Sequence, residues 1–280
     1  MTLVSHRGID TGYCPFEEST HEAFAYELEK GIGVEFDPNF TKDNQVIIFH
    51  DSTLSRTTSG KNKSEIVDLT LSEIGSETDK NNPICGFDSL LDLISRYPKT
   101  QNALHLKGKF QTEPYLRLLM DKLHGHDLEN ILVFDVLPKT AKILRHEFPV
   151  LAIAPSVSHP FDIKRFNKYT GGTLVTIGEV LTHKDVYSWV WLDEWDLKDE
   201  SGEKDFINSE VLAIFKDNGL KIGLVTPELH GTSPGFLGGE SHEDAISQET
   251  LFDRISMIVK LAPEIVCTDY ASKIKIYENN

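Results

Sequence analysis

Residues 19 to 40 read STHEAFAYELEK followed by GIGVEFDPNF, and this stretch decides the predicted fold. Its first part opens with an N-cap candidate, has apolar positions at Phe24 and Leu28, and stops at a glycine, which is the pattern of an amphipathic helix. Its second part, Gly33 to Phe40, is a short apolar run typical of a buried strand. The stretch therefore predicts one helix followed by one strand.

The same alternation recurs along the chain. Eight short runs rich in Val, Ile and Leu alternate with longer amphipathic stretches, which is the pattern of repeated βα units around a parallel sheet. The predicted strands are Leu3 to Ser5, Gly33 to Phe40, Ala103 to Lys107, Ile131 to Asp135, Leu151 to Ser156, Trp189 to Asp193, Ile222 to Thr226 and Ile265 to Thr268. Further predicted helices are Pro138 to Glu147, Ser209 to Asp217 and Gln248 to Leu261. Eight such units in 280 residues predict an α/β fold, with one (β/α)8 TIM barrel domain over residues 1–280.

Two polar segments interrupt this rhythm. Gln45 to Phe49 is predicted as an additional strand, and the residues after it are rich in Ser, Thr, Asn, Asp and Lys, so we expect a small insertion at about 51–83, after the second strand. Residues 231–247 are rich in glycine and predict a second long loop, which we expect to cover a pocket.

Composition and charge limit the expected partners. Hydrophobic residues make up 39% and charged residues 26%, as in ordinary folded proteins. The formal net charge of -16 repels a polyanion, and the 28 Lys and Arg residues are scattered, so nucleic acid is not an expected partner. No segment reaches transmembrane length. We expect a small-molecule substrate, and the sequence does not indicate an oligomeric state.

The N-terminus and the cysteines predict a cytoplasmic location. The first 15 residues contain no apolar core of a secretory signal. The three cysteines, Cys14, Cys85 and Cys267, are far apart, odd in number and match no metal or redox spacing. A reducing compartment fits this pattern best.

Glu35 and Asp37 form a pair of carboxylates in an apolar stretch. Residues two apart on a strand point to the same face, so both acidic side chains lie on one side of the predicted strand. Buried carboxylates must be neutralised, and a hard divalent cation is the usual solution. The alternative is a surface strand with two solvated acids.

Two histidines follow predicted strands. His6-Arg7-Gly8 comes directly after the first strand, and His50-Asp51 comes directly after the apolar run Val46 to Phe49. A single histidine is most often structural. Two of them at strand ends, on either side of a carboxylate pair, are suited to act as proton donor and acceptor around a phosphoryl group.

The order of these elements resembles the glycerophosphodiester phosphodiesterase family. The matching segments are His6-Arg7-Gly8, Glu18-Ser19-Thr20, Gly33-Val34-Glu35-Phe36-Asp37, Thr41-Lys42-Asp43, His50-Asp51 and Leu54-Ser55-Arg56-Thr57-Thr58. Later segments, Leu104-His105-Leu106-Lys107 and Cys267-Thr268-Asp269-Tyr270, look like the third-strand and final-strand motifs of the family.

The resemblance implies a TIM barrel, a divalent metal such as Mg²⁺ or Ca²⁺, and an enzyme of lipid metabolism that hydrolyses a phosphodiester to a phosphomonoester and an alcohol. The implied site residues are the acid and base His6 and His50, the phosphate ligands Arg7 and Lys107, and the metal ligands Glu35 and Asp37. Glu18 matches the acid of the family's Glu-Asn-Thr segment, in which Ser19 replaces the Asn.

His105 is the larger departure from the family pattern. It stands two residues before Lys107, where the family usually has a third metal-binding Glu. An imidazole in place of a carboxylate removes a negative charge and softens the site, which moves metal preference toward Mn²⁺ or Zn²⁺. The alternative is that His105 only packs or forms hydrogen bonds, and that water or Glu228 completes a two-carboxylate site.

The ends of the sixth and seventh strands suggest the substrate. They run into Trp191 to Trp195 and Thr226 to His230, which are unusually polar and aromatic. In a barrel these segments face the same mouth as the histidines, so Trp195 and Glu228 are predicted to bind a sugar, polyol or amine head group. Solvated loops are the alternative.

Two alternative functions use the same residues. One is a lyase or transferase that forms a cyclic phosphate as its final product. The other is a catalytically degenerate binding protein that no longer binds the metal because His105 replaces a carboxylate ligand. The sequence also leaves open which histidine is the acid, and whether water or a substrate hydroxyl is the nucleophile.

Overall fold

A computed structural model describes residues 1–77, 83–195, 198–199, 202–203, 205–226 and 248–278. The strands are β1 Thr2–Ser5, β2 Gly33–Phe36, β3 Pro38–Phe40, β4 Val46–Ile48, β5 Asn102–His105, β6 Ile131–Phe134, β7 Ala152–Ile153, β8 Ser156–Val157, β9 Leu174–Val175, β10 Trp189–Leu192, β11 Lys198–Asp199, β12 Gly202–Glu203, β13 Lys221–Val225 and β14 Ile265–Thr268. The helices are α1 His21–Glu29, α2 Leu71–Glu77, α3 Phe87–Ser95, α4 Tyr115–Leu123, α5 Pro138–Glu147, α6 Pro160–Thr170, α7 Ile177–Thr182, α8 Ser209–Asp217, α9 Gln248–Lys260 and α10 Ala271–Glu278. Strands alternate with helices, which confirms the predicted α/β class.

The chain forms two compact units. Unit 1 contains Met1–Leu3, Lys107–Lys109 and Leu132–Thr268, and unit 2 contains Val4–Leu106, Phe110–Ile131 and Asp269–Asn280. None of the described helices is long and apolar enough to cross a membrane.

In unit 2, β2 lies between β1 and β5, and all three strands are parallel. Gly33 permits this packing, because a Cβ atom there would lie 1.8 Å from the backbone oxygen of Gln101. Helix α1 begins where the Thr20 hydroxyl accepts a hydrogen bond from the Ala23 N–H. The unit therefore presents the ends of β1, β2 and β5 along one edge.

The predicted strand from Gly33 to Phe40 is divided in the structure. Its first half is β2, and its second half is β3, which pairs antiparallel with β4. Pro38 begins β3, in agreement with the preference of proline for the first position of a strand. The additional strand predicted at Gln45 to Phe49 is confirmed as β4.

The described part of the polar segment after β4 packs against that strand. It contains a 3₁₀ turn at Ile66–Asp68 and helix α2. Its apolar side chains form a small core with β4 and the residue after it: Ile47, Phe49, Leu54, Ile66 and Ile74. This core holds the insertion against the strand that leads to His50.

In unit 1, the parallel strands lie in the order β14, β13, β10, β8, β9, and β6 pairs with β7. Trp191 in β10 stacks on Phe134 with ring centroids 4.0 Å apart. Gly223 leaves room for this indole, since a Cβ atom there would lie 2.8 Å from Trp191 Cε3. This buried aromatic pair is thus part of the core of the unit.

The strand predicted from Leu151 to Ser156 is also in two parts. Its first part is β7 and its second part is β8, and Pro155, which has no N–H to donate to a ladder, lies between them. Strand β9, which pairs with β8, was not predicted because it is only two residues long.

Candidate active site

The predicted site residues of unit 2 lie at strand ends. His6 and Arg7 form the turn after β1, Glu35 lies in β2, and Asp37 follows β2 directly. His50 comes two residues after β4, and His105 is the last residue of β5. Because β1 pairs with β2 and β2 pairs with β5, the segments at the ends of these three strands lie side by side.

Glu35, Asp37 and His105 form a cluster of metal-binding type. Each offers one ligand atom, and these atoms lie within 4.8 Å of one another. Glu35 and Asp37 are almost completely buried. Two buried carboxylates beside an imidazole are a donor set that fits a divalent cation, because the cation offsets the cost of burying the charges.

A hydrogen bond inside this cluster joins His105 to Asp37. His105 Nδ1 lies 2.9 Å from Asp37 Oδ1. An ionised carboxylate only accepts, so Nδ1 carries the proton and Nε2 keeps the lone pair. Nε2 is then the unprotonated nitrogen of the ring.

Arg7 folds back over the carboxylates. It has φ 55° and ψ 22°, in the left-handed region, and its backbone N–H donates to Glu35 Oε2 at 3.2 Å. Its Nε lies 3.8 Å from Asp37 Oδ2 and its Nη1 lies 3.6 Å from Glu18 Oε2. The next residue, Gly8, also has positive φ, and a Cβ atom there would lie 3.0 Å from the Ala23 Cβ. The turn therefore needs glycine, and it buries the Arg7 guanidinium beside two acids while the Arg7 backbone N–H contacts a third.

His6 is paired with a residue from the end of the chain. Its Nδ1 lies 3.0 Å from Oδ1 of Asp269, which is fully buried. The backbone oxygen of Asp269 accepts from the Thr11 N–H at 2.7 Å, which holds this acid beside the turn after β1. Sequence reasoning assigned no role to Asp269, although its place directly after the last predicted strand was an available signal.

His50 has a carboxylate partner of its own. His50 Nδ1 lies 2.7 Å from Asp51 Oδ1, and Arg56 Nε donates to Asp51 Oδ2 at 2.6 Å. Burial raises the pKa of Asp51, but the hydrogen bonds from His50 and Arg56 outweigh burial and hold that pKa below its usual range. Asp51 is therefore a carboxylate at neutral pH. Arg56 also pairs with Glu18, a contact that sequence reasoning missed.

Two of the other predicted site residues are described within unit 1. Lys107 and Trp195 belong to unit 1, where the Trp195 ring stacks on Phe166 at 4.9 Å and its backbone N–H donates to Asp162. Its neighbour Glu194 accepts from Arg254 and from the Phe206 N–H. Glu228 and the loop predicted at 231–247 lie outside the described residues.

A family comparison covers this site. The sequence model of the glycerophosphoryl diester phosphodiesterase family matches residues 6–148. This range, 143 of the 280 residues, contains both histidines, Arg7, Lys107 and the three candidate metal ligands.

Relatives and solved structures are consistent with that match. A glycerophosphodiester phosphodiesterase from Caldanaerobacter subterraneus subsp. tengcongensis is 40% identical over 73 residues, which cover 26% of this chain and only 28% of that relative. A solved chain from Agrobacterium tumefaciens str. C58 has a TM-score of 0.68 and 19% identity, covering 100% of this chain and 98% of that one. An Oleispira antarctica phosphodiesterase, solved with the product sn-glycerol-3-phosphate, has a TM-score of 0.64 and 18% identity, covering 100% and 97%. These likenesses confirm the predicted (β/α)8 barrel fold.

Proposed function

Because this chain belongs to the glycerophosphoryl diester phosphodiesterase family, we propose that it hydrolyses a glycerophosphodiester to a phosphomonoester and an alcohol. One observation carries the proposal. Two histidines at strand ends each place Nδ1 within hydrogen-bond distance of a carboxylate, His6 on Asp269 and His50 on Asp51. Both imidazoles therefore present Nε2 for proton transfer, as acid–base catalysis requires.

The proposed reaction needs one proton acceptor and one proton donor. One histidine takes a proton from water at its Nε2 while the water oxygen forms a bond to phosphorus. The bond from phosphorus to the alcohol oxygen breaks, and the other histidine, as imidazolium, gives its Nε2 proton to that oxygen. The phosphomonoester and the alcohol then leave, and a proton returns between the histidines through solvent.

Arg7 and Lys107 are the proposed phosphate ligands. Arg7 is held 3.6 Å from Glu18 and 3.8 Å from Asp37, so its guanidinium is fixed before any substrate arrives. A fixed guanidinium loses little conformational freedom on binding and presents several donors to phosphoryl oxygens. Lys107, two residues after His105, would supply a second positive charge to the same oxygens.

Glu35, Asp37 and Nε2 of His105 are the proposed ligands of a divalent cation, which would polarise the phosphoryl oxygens when bound. The imidazole favours Mn²⁺ or Zn²⁺ over Mg²⁺ or Ca²⁺, because Mg²⁺ and Ca²⁺ are harder ions that prefer oxygen ligands. Titration of metal-stripped protein with each ion tests this choice. Equal affinity for Mg²⁺ and Zn²⁺ would contradict it.

The substrate class is a further part of the proposal. The Oleispira antarctica phosphodiesterase was solved with sn-glycerol-3-phosphate, which supports a glycerol phosphate product here. Trp195 and Glu228 are proposed to contact a sugar, polyol or amine head group on the alcohol side. A panel of diesters tests that preference. Cleavage of glycerophosphocholine as fast as any sugar-containing diester would count against it.

Product analysis in ¹⁸O water tests the reaction itself. We expect ¹⁸O in the phosphomonoester and no accumulation of cyclic phosphate, with activity lost in His6→Ala and His50→Ala. A cyclic phosphate as the final product would instead favour a lyase or transferase. A wild-type protein inactive with every metal and diester would favour a binding protein.

A further inference from the structure

A continuous series of alternating charges runs through the site residues of unit 2. Each consecutive pair in this series is joined by a hydrogen bond or an ion pair: His50, Asp51, Arg56, Glu18, Arg7, Asp37 and His105. The first member is a proposed catalytic histidine and the last is a proposed metal ligand. Arg56 and Glu18 lie in the middle: Glu18 holds Arg7, and Arg56 has no role in the mechanism described above.

The insertion contributes two members of this series, Asp51 at its first position and Arg56 five residues further on. The Arg56 backbone is held on both sides, because Leu54 is fully buried in the small apolar core and Thr58 donates its hydroxyl to the Leu54 oxygen at 2.8 Å. The Arg56 side chain is about one-third exposed and reaches two carboxylates at once, through Nε to Asp51 and through Nη2 to Glu18.

In this geometry Arg56 affects the site in two ways, through Asp51 and through Glu18. It occupies the second oxygen of Asp51, so the first oxygen is held toward His50 Nδ1. It also pairs with Glu18, which contacts Arg7. Part of the Glu18 charge is therefore neutralised by Arg56, and Arg7 keeps its contact with Asp37. A planar guanidinium can make both contacts in one rotamer, whereas an ammonium group is a single point charge.

We propose that Arg56 is a positioning residue that orients His50 through Asp51 and Arg7 through Glu18, and so couples the insertion to the reaction. The catalytic part of this inference rests on the proposed function. The orientation of His50 does not, because it can be measured on the resting protein.

The kinetic experiment compares Arg56→Gln and Arg56→Lys with a matched control. Loss of an outer contact of this kind typically costs about 10-fold to 100-fold in activity. We expect that loss in kcat for Arg56→Gln and only partial recovery in Arg56→Lys, which can contact one carboxylate at a time. The control is Arg117→Gln, because Arg117 is 70% exposed and pairs with exposed Glu113. We expect wild-type kcat in that variant.

The structural readout is the ¹⁵N NMR signal of the two ring nitrogens of His50 in ¹⁵N-histidine-labelled protein. The His50→Ala variant assigns this signal. In the wild type we expect the Nδ1–H form with slow proton exchange, and in Arg56→Gln we expect faster exchange or a mixture of tautomers. An unchanged His50 signal overturns the proposal, whether or not kcat falls. A changed signal with unchanged kcat overturns the coupling to the reaction. If the wild type has no diesterase activity, a changed signal supports the orientation of His50 while the proposed function fails.

Discussion

The Nδ1 atom of His6 lies 3.0 Å from the Oδ1 atom of Asp269, although 263 positions separate the two residues in the sequence. The contact joins the turn after β1 to the segment that follows β14. Asp269 is fully buried, and an ionised carboxylate only accepts hydrogen bonds, so it selects the Nδ1–H form of His6. In the proposed reaction, this pairing would leave Nε2 of His6 as the atom that transfers a proton.

We expect Asp269→Asn to lower kcat by about 100-fold to 10,000-fold with little change in KM, because the amide can stabilise the wrong tautomer of His6. Steady-state kinetics measure the fall in kcat, and the ¹⁵N NMR signals of the His6 ring in labelled protein measure the change of tautomer. Asp185→Asn, at an exposed position, is the control. Wild-type kcat in Asp269→Asn would show that the pairing is not needed for catalysis.

We expect His105→Glu to change the metal preference toward Mg²⁺ and Ca²⁺, because it creates a set of three carboxylates. Without metal, the third acid beside Glu35 and Asp37 should lower the Tm through repulsion, and each bound ion should raise it in proportion to its affinity. Thermal unfolding with Mg²⁺, Ca²⁺, Mn²⁺ and Zn²⁺ measures this. The same order of ions in wild type and variant would argue that His105 is not a ligand.

Glu27 makes the stability of the fold depend on pH. Lys30 Nζ lies 3.1 Å from Glu27 Oε1 and 3.0 Å from Asp10 Oδ2, and both acids are buried. Burial, and then repulsion from Asp10, raise the pKa of Glu27 from 4.5 to about 7 in spite of Lys30. Between these values the folded protein holds a proton that the unfolded chain releases, so the free energy of unfolding falls as pH rises.

We therefore expect Glu27→Gln to remove this pH dependence, because its amide oxygen still accepts from Lys30 but carries no charge. The gain over wild type should be close to zero near pH 4.5 and should reach at most about 3 kcal/mol above pH 7. Urea unfolding across this range measures it, with the exposed Glu29→Gln as control. A gain that is the same at every pH would contradict the prediction.

We expect Gly33→Ala to destabilise unit 2 by more than about 3 kcal/mol or to prevent folding, because the new methyl group would lie 1.8 Å from a backbone oxygen that cannot move alone. Gly75→Ala is the matched control, since nothing lies within 4 Å of a Cβ atom there and the position is inside α2. It should be neutral or stabilising by up to about 1 kcal/mol. Urea midpoints of both variants decide the question, and a Gly33→Ala midpoint near that of wild type would refute it.

The local elements were largely predictable. Helix α5 and helix α8 have the predicted bounds, and the strand at Ile265–Thr268 does too. Each is specified by side-chain periodicity and by residues that start or stop an element within a few positions. The divisions after Phe36 and at Pro155 were missed, since apolar composition alone does not show where a ladder changes partner.

The candidate site was predictable only in part. Glu35 and Asp37 are two apart in the sequence, and a strand places such residues on one face, so their proximity was expected. The pairing of Arg56 with Glu18 spans 38 positions and joins an insertion to the loop after β1. No local pattern indicates such a contact.

The sequence by itself determined the alternation of helices and strands, the carboxylate pair and the placing of histidines directly after strands, because these follow from periodicity over a few residues. Only the tertiary structure decided that Asp269 orients His6, that Arg56 and Glu18 connect Asp51 to Arg7, and that His105 meets Asp37. Those contacts depend on how strands and loops distant in sequence are brought together by burial of the core. Burial of apolar surface is not directional, so it does not reveal in advance which polar side chains will meet.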